Sequence, residues 1–259
     1  MDARWEVVES GPVDAERTVL LLPGGMCSAR SYAEVMAEPA LAETHLVAVT
    51  LPGQAGVPPR EDFSMETYAR ITAELAADVK ADVVAGFSMG ANVAYEMVVS
   101  GAFDGPVVLL ALSLSPPDEP AFFRGIIHLG SVLGTLPCAV LKKGAASMIK
   151  HTALPPERQA ELRADFELNH TSDMRQALRA YLAWLKRDDD RAARFCSVGS
   201  PAWVMHAEKG DGGLTPHERD VFEQCPHTRV ITIPGSVFFL PNEVPGQVAD
   251  VIVEALAAA

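Results

Sequence analysis

The stretch Gly86-Phe87-Ser88-Met89-Gly90 decides how this chain is read. An apolar run, Ala81-Asp82-Val83-Val84-Ala85, leads into it, and Ala91-Asn92-Val93-Ala94-Tyr95-Glu96-Met97 leads out. A strand, a five-residue turn with Gly at both ends and a helix form the setting in which G-x-S-x-G presents a serine as a nucleophile. A turn this tight holds the serine in a strained conformation, and flanking residues without side chains let neighbouring backbone approach. The helix starts just behind the serine, so its N-terminal amides and dipole favour negative charge there. Alone the motif is weak, because Gly and Ser are common loop residues and a plain structural turn has the same letters. The strand before and the helix after give it specificity.

The segments on either side repeat one pattern. Thr18-Val19-Leu20-Leu21-Leu22 and His45 to Thr50 are apolar runs, the mark of strands buried on both faces. Each ends in a Pro-Gly loop: Pro23-Gly24-Gly25-Met26, able to lay backbone amides bare, and Leu51-Pro52-Gly53-Gln54-Ala55-Gly56. Between them Ser28 to Glu38 reads as a helix with Ser28 or Ser31 as cap. From Met65 to Val79 the apolar residues Tyr68, Ile71, Leu75 and Val79 line one helix face, with Ser64 placed to cap it. Trp5 to Ser10 reads as a short first strand, and Val107 to Leu112 as a further buried one. Strand–helix alternation of this kind implies a mostly parallel twisted sheet flanked by helices.

At Ser115-Pro116-Pro117 the alternation stops. From Asp118 to Val198 only helical stretches are expected, near Ala121–Leu133, Ala139–Lys150, Glu157–Asn169 and Asp173–Lys186. Ordinary helix packing accounts for most of their apolar residues. The sharper expectation is a helical lid at 118–198, inserted into a core formed by 1–117 and 199–259, over the strand ends where open α/β sheets bind ligands. The sheet resumes at Pro201 to His206, followed by a helix at Pro216 to Gln224, a last strand at Thr228 to Ile233 and a closing helix at Glu243 to Leu256.

Composition narrows the class. With 259 residues, 49% hydrophobic and 21% charged, the chain buries one large core. A formal charge of −13 argues against nucleic acid, which needs a basic footprint. No apolar run is long and unbroken enough to span a bilayer, so no membrane partner is expected. The N-terminus carries acids and no apolar core of a signal, and Cys27, Cys138, Cys196 and Cys225 are scattered without a C-x-x-C pair. Both point to a reduced, cytoplasmic protein. No histidine pair has metal-ligand spacing, and the chemistry of a serine nucleophile needs no metal or cofactor. A small-molecule substrate is the expected partner; oligomeric state is not legible.

The order of these elements resembles the α/β-hydrolase fold superfamily, in its helical-cap serine hydrolase branch of esterases, lactonases and C–C hydrolases. Leu22-Pro23-Gly24-Gly25 stands where that family has His-Gly after a strand, Leu51 to Gly56 resembles its Pro-Gly-x-Gly loop, and Gly86 to Gly90 matches its nucleophile elbow. The resemblance implies Ser88 as nucleophile and an oxyanion hole from the Gly25 and Met89 amides, with Met26 as the loop neighbour. It implies an acid after the penultimate strand, where Asp211 is favoured although one residue late in the pattern. Glu208, Asp118 and Glu119 are the alternatives, and a solvated surface acid is the bland reading of all four. It also implies a histidine after the last strand. There Pro234-Gly235-Ser236-Val237-Phe238-Phe239-Leu240-Pro241-Asn242-Glu243-Val244-Pro245 keeps the family's register and puts Phe238 in the histidine's place, through substitution or natural drift. A phenyl ring neither takes nor returns a proton. His206, at a strand end, and His128, in the first lid helix, are the substitutes to consider, and His128 and Phe239 join Met26 as expected pocket residues. A non-hydrolytic binding protein, lyase or cyclase on the same fold is the alternative function.

Overall fold

The computed structural model describes residues 5–119, 136–150, 152, 154–187, 190–210 and 213–259. Its strands are β1 (Glu6–Ser10), β2 (Thr18–Leu22), β3 (His45–Thr50), β4 (Val83–Phe87), β5 (Val107–Leu110), β6 (Ala202–Gly210) and β7 (Thr228–Val237). They form one sheet in the order β1-β3-β2-β4-β5-β6-β7, so β4, which ends just before Ser88, is central. Only β1 runs antiparallel among these pairings. The helices are α1 (Ala33–Met36), α2 (Met65–Asp78), α3 (Met89–Val99), α4 (Leu136–Ile149), α5 (Pro156–Glu167), α6 (Thr171–Leu185), α7 (Arg191–Val198), α8 (Pro216–Gln224), α9 (Leu240–Glu243) and α10 (Pro245–Leu256).

Alternate residues of each strand feed two cores. Leu20, Leu22, Val47, Val49, Val84, Val107, Leu109 and Val204 join α2, α3 and Phe222 of α8 on one face. Val19, Leu21, Leu46, Ala48, Ala85, Val108, Leu110 and Met205 join Tyr32, Val35 and α10 on the other. The capping expected of Ser28 and Ser64 is present: Ser28 accepts from the Arg30 amide and Ser64 from the Thr67 amide, each at 3.2 Å. Ser28 opens a 3-10 turn at Ala29–Tyr32 before α1, rather than one continuous helix.

Several boundaries differ from the expectation, and β5 ends at Leu110 rather than Leu112. The last two strands are longer, because Pro234-Gly235 does not end β7. A bulge between Ala207 and Lys209 lets Ser236 and Val237 pair with Lys209 and Gly210, and the Glu208 carboxylate accepts the Gly235 amide at 3.0 Å. The closing helix is broken at Val244, which lies at φ −134°, ψ 50°, because the residue before Pro245 is driven out of the helical region. A helix the sequence reading passed over, α7, follows Asp190, whose side chain caps it through the Ala193 amide at 3.0 Å.

Within the segment expected as a lid, the helices divide. Trp184 of α6 and Ala192 and Phe195 of α7 belong to the first sheet core. Phe195 stacks on Tyr95 with ring centroids 5.6 Å apart, and the Trp184 indole N–H donates to Glu96 of α3 at 3.1 Å. By contrast, Ile149 of α4 and Leu162 and Phe166 of α5 cluster with Met26, Cys27 and Phe239. The stretch expected as a first lid helix, Ala121–Leu133, lies outside the described residues, apart from which nothing is assigned to it.

Where the segment leaves β5, Asp118 is buried. It accepts from the Leu114 and Ser115 amides at 2.7 and 2.8 Å and from the Thr215 amide at 3.1 Å. Thr215 caps α8, and its amide is shared with Glu218 at 2.8 Å, so two carboxyl groups meet at one corner. Burial first, then the facing Glu218 carboxyl, pushes Asp118 up to about 7. In the unfolded chain the group titrates near about 4. Its stabilising contribution is therefore complete below about pH 4 and is lost as pH rises through about 7.

Two outcomes follow. Glu218→Gln removes the facing charge, so the fall in urea-unfolding stability between about pH 4 and about pH 7 becomes shallower than in the parent; equal slopes would contradict the carboxyl pair. Gly90→Ala puts a Cβ 2.3 Å from the Leu22 carbonyl oxygen and 2.7 Å from that of Pro23. It lowers unfolding stability by about 3 kcal/mol, since backbone on both sides has to move; an unshifted urea midpoint would refute that crowding.

Candidate active site

Ser88 sits at φ 50°, ψ −117°, a conformation that a residue with a side chain adopts only under constraint. The constraint is visible on both sides. A Cβ on Gly86 would lie 2.2 Å from the Gly90 carbonyl oxygen, and one on Gly90 would strike Leu22 and Pro23. The Ser88 amide donates to the Leu110 carbonyl at 2.8 Å, and the Ser88 carbonyl accepts from Ala91 and Asn92 at 2.8 and 3.1 Å. The backbone is thus tied to β5 in front and α3 behind. The side chain caps nothing, is half-buried and is left for other work.

Three segments gather at this point. The first is the loop after β2: a Cβ on Gly24 would touch the Phe87 ring at 3.1 Å and Ser88 Cβ at 3.5 Å, and one on Gly25 would meet Met89 Sδ at 3.5 Å. Gly25 therefore lies against the first residue of α3. Neither the Gly25 nor the Met89 amide has an acceptor among the described residues. For Met89 this follows from its place at the start of a helix, where first-turn amides have no intrahelical partner. The Met26 amide is different. It donates to Gln54 Oε1 at 2.8 Å, so of the two loop residues only Gly25 keeps its N–H unengaged.

The second segment is the turn after β7. Phe239 packs on Phe87 with ring centroids 6.3 Å apart, which sets the turn beside the elbow. The Phe238 and Phe239 amides both donate to one Glu243 carboxylate oxygen, at 2.9 and 2.8 Å. Phe238 follows the strand directly and is 37% exposed, an unusual position for a ring of that size. The third segment is the α4–α5 pair, whose Ile149, Leu162 and Phe166 cover Met26 and Cys27. Burial raises the Cys27 thiol to about 12, so it supplies no competing nucleophile at neutral pH.

The other expected residues fall as follows. Asp211 and His128 lie outside the described residues. Glu208 is exposed and its carboxylate holds the Gly235 amide. Asp118 is committed to the corner with Thr215 and Glu218, and Glu119 accepts from the Tyr181 hydroxyl. His206 is buried inside β6, paired with Thr232, and lies two strands from β4, about 10 Å across the sheet. His217 is an exposed ion-pair partner of Asp190 at 2.9 Å. His45 is buried at the start of β3, and His170 and His227 are exposed. Among the described residues no group of three or more His, Cys, Asp or Glu side chains could hold a metal ion, and no helix is long and apolar enough to cross a membrane.

Two residues at this rim carried no motif signal. Gln54 is one letter of a Pro-Gly loop and Asn169 one letter of a formal glycosylation sequon. In the fold both are buried and both bond to Met26.

Comparison with solved structures agrees with this architecture. A hydrolase from Oleispira antarctica, olei00960, superposes with a TM-score of 0.75 at 16% identity, over 99% of this chain and 96% of that one. A thermophilic esterase from Thermogutta terrifontis gives 0.71 at 17%, over 98% and 93%. The enol-lactonase from Burkholderia xenovorans LB400 gives 0.74 at 14%, over 98% and 96%. At these identities the likeness establishes the fold alone. No curated protein sequence matches the chain significantly. The sequence profile of the Alpha/beta hydrolase family matches residues 19–251, nearly the full length, and the chain belongs to that family.

Proposed function

We propose that the chain is a serine-nucleophile hydrolase scaffold for a small apolar ester, lactone, thioester or related carbonyl compound, with turnover held back at the proton-transfer step. The observation that carries this reading is Ser88 at φ 50°, with the unengaged Gly25 and Met89 amides beside it. Ser88 Oγ attacks the carbonyl carbon, and the oxygen that gains charge is received by those two N–H groups. Amides aimed at a developing oxyanion are usually the largest catalytic term, about 3–4 kcal/mol for each donor. Helices α4 and α5, lying over the Met26–Cys27 loop, keep water from the pocket and shape it.

Proton transfer is where this chain departs from the family pattern. Asp211, the acid we favour, has the role of orienting an imidazole, and position 238 carries a phenyl ring instead. The Ser88 proton then passes to solvent. In serine triads the loss of the base lowers turnover by about 10⁶. A second reading rests on Phe238 alone: a ring 37% exposed at the position where the family pattern has its base favours a ligand-binding protein, lyase or cyclase that uses the pocket without acyl transfer.

A fluorophosphonate and a short-chain chromogenic ester separate the readings. The parent labels slowly, and only at Ser88, so Ser88→Ala abolishes labelling. Phe238→His speeds labelling and ester turnover by at least about 100-fold, the lower end of general-base catalysis. Ester binding without turnover in both forms would replace this reading with the second one. Fast turnover by the parent would show that another group already serves as base, with His206→Ala the variant that identifies it.

A further inference from the structure

We infer that Gln54 and Asn169 are positioning residues that hold both polar backbone groups of Met26 and thereby fix the turn that carries the Gly25 amide beside the elbow; this rests on the reading of Ser88 as a nucleophile. The Cys27 amide donates to the Gly24 carbonyl at 3.1 Å, closing a four-residue turn with Gly25 and Met26 at its centre. Met26 lies at φ 67°. A turn with positive φ at its third residue is of type II, which calls for Gly or Asn there, and Met is neither. In the type I alternative the Gly25–Met26 peptide turns over and Met26 takes an ordinary negative φ. Left to itself, the methionine side chain favours that second form.

Two buried amide side chains oppose the flip. Gln54 Oε1 accepts the Met26 N–H at 2.8 Å, and Asn169 Nδ2 donates to the Met26 carbonyl at 2.9 Å. Turning the peptide over would bring the Gly25 carbonyl toward Gln54 Oε1, acceptor against acceptor. It would also change ψ of Gly25, and with it the path of the loop that lies against Met89. Both side chains are themselves fixed, at 2% and 3% exposure. Gln54 Nε2 donates to the Tyr68 hydroxyl at 3.4 Å, and that hydroxyl donates to the Pro52 carbonyl at 2.8 Å. Asn169 Oδ1 accepts the Ala55 amide at 2.8 Å, so one residue joins the loops after β2 and β3.

Asn169 adds a connection that the motifs do not reveal. It stands just after α5, and Lys142 of α4 donates to its carbonyl at 3.2 Å and to that of Glu167 at 2.7 Å. The helices that cover the loop therefore also hold the turn in which Gly25 lies. A shift of α4–α5 reaches the loop through this side chain as well as through the packing of Ile149, Leu162 and Phe166 on Met26 and Cys27.

Gln54→Met keeps the length of the side chain and loses the acceptor, Gln54→Glu keeps the acceptor, and Asn169→Asp keeps the bond from Ala55 and loses the donor to Met26. Hydrogen exchange of the Met26 amide should rise at least about tenfold in Gln54→Met and stay near the parent in Gln54→Glu. The Gly25 amide resonance, read with selective ¹⁵N-glycine, should move in Gln54→Met and Asn169→Asp. Ser88 phosphonylation by a fluorophosphonate should fall about 100-fold in those two variants, as expected when a reacting group is misplaced by about 1 Å. Affinity for a reversible, uncharged ester analogue should change little, and Gln54→Glu should recover the parent rate. Unchanged phosphonylation in Gln54→Met and Asn169→Asp would overturn the inference, as would a Gln54→Glu variant as slow as Gln54→Met. If Ser88 is never labelled, even with Phe238→His, the proposed function falls while the clamp is judged separately: an unmoved Gly25 resonance in Gln54→Met overturns it.

Discussion

The carbonyls of Leu22, Pro23 and Gly90 occupy the space in which Gly90 and Gly86 would carry a Cβ, and the geometry of the site descends from that crowding. Backbone this close leaves the central strand no ordinary exit, and Ser88 is driven to positive φ between two anchored peptides. The strain is held by the elements around it. The Ser88 amide is bonded to β5, its carbonyl to α3, and α3 is in turn fixed by Tyr95 and Glu96 against Trp184 and Phe195. A strained serine at the centre of a well-packed sheet is a preorganised group whose cost is met by the fold as a whole.

Around that fixed point the chain places buried polar groups on the loop after β2. Gln54 and Asn169 satisfy Met26, leaving the Gly25 amide open, while Glu243 gathers the Phe238 and Phe239 amides into a rigid turn. In the proposed mechanism the loop after β2 receives the negative charge, and position 238, where the resemblance calls for a histidine, carries a hydrocarbon ring. On the proposed reading, an oxyanion site without a base would bind a carbonyl and favour the charged intermediate while leaving the serine a poor nucleophile at neutral pH.

Much of this was legible in the sequence, and the parts that were not have physical causes. Apolar runs such as Leu20–Leu22 and Val83–Ala85 announce buried strands because both faces of the sheet are covered. The elbow is legible because its two glycines are demanded by contact. The extra length of β6 and β7 was hidden by Pro234-Gly235, which usually ends a strand; here a bulge and the Glu208 carboxylate take up the Gly235 amide. Helix α7 was masked by the acidic run before it, although Asp190 is a sound N-cap. The roles of Gln54 and Asn169 were beyond reach, because they depend on contacts across 28 and 143 residues of chain. The acid remains an expectation resting on Asp211.

The central claim is that Ser88 is positioned for attack but has no imidazole to activate it, and the pH dependence of its phosphonylation tests this most directly. Without a base, the rate follows the serine alkoxide, so its logarithm rises with a slope of about one from about pH 6 to about pH 9 and shows no plateau. A rate that levels off with a midpoint near about 6 to 7 would reveal a titrating histidine and contradict the account.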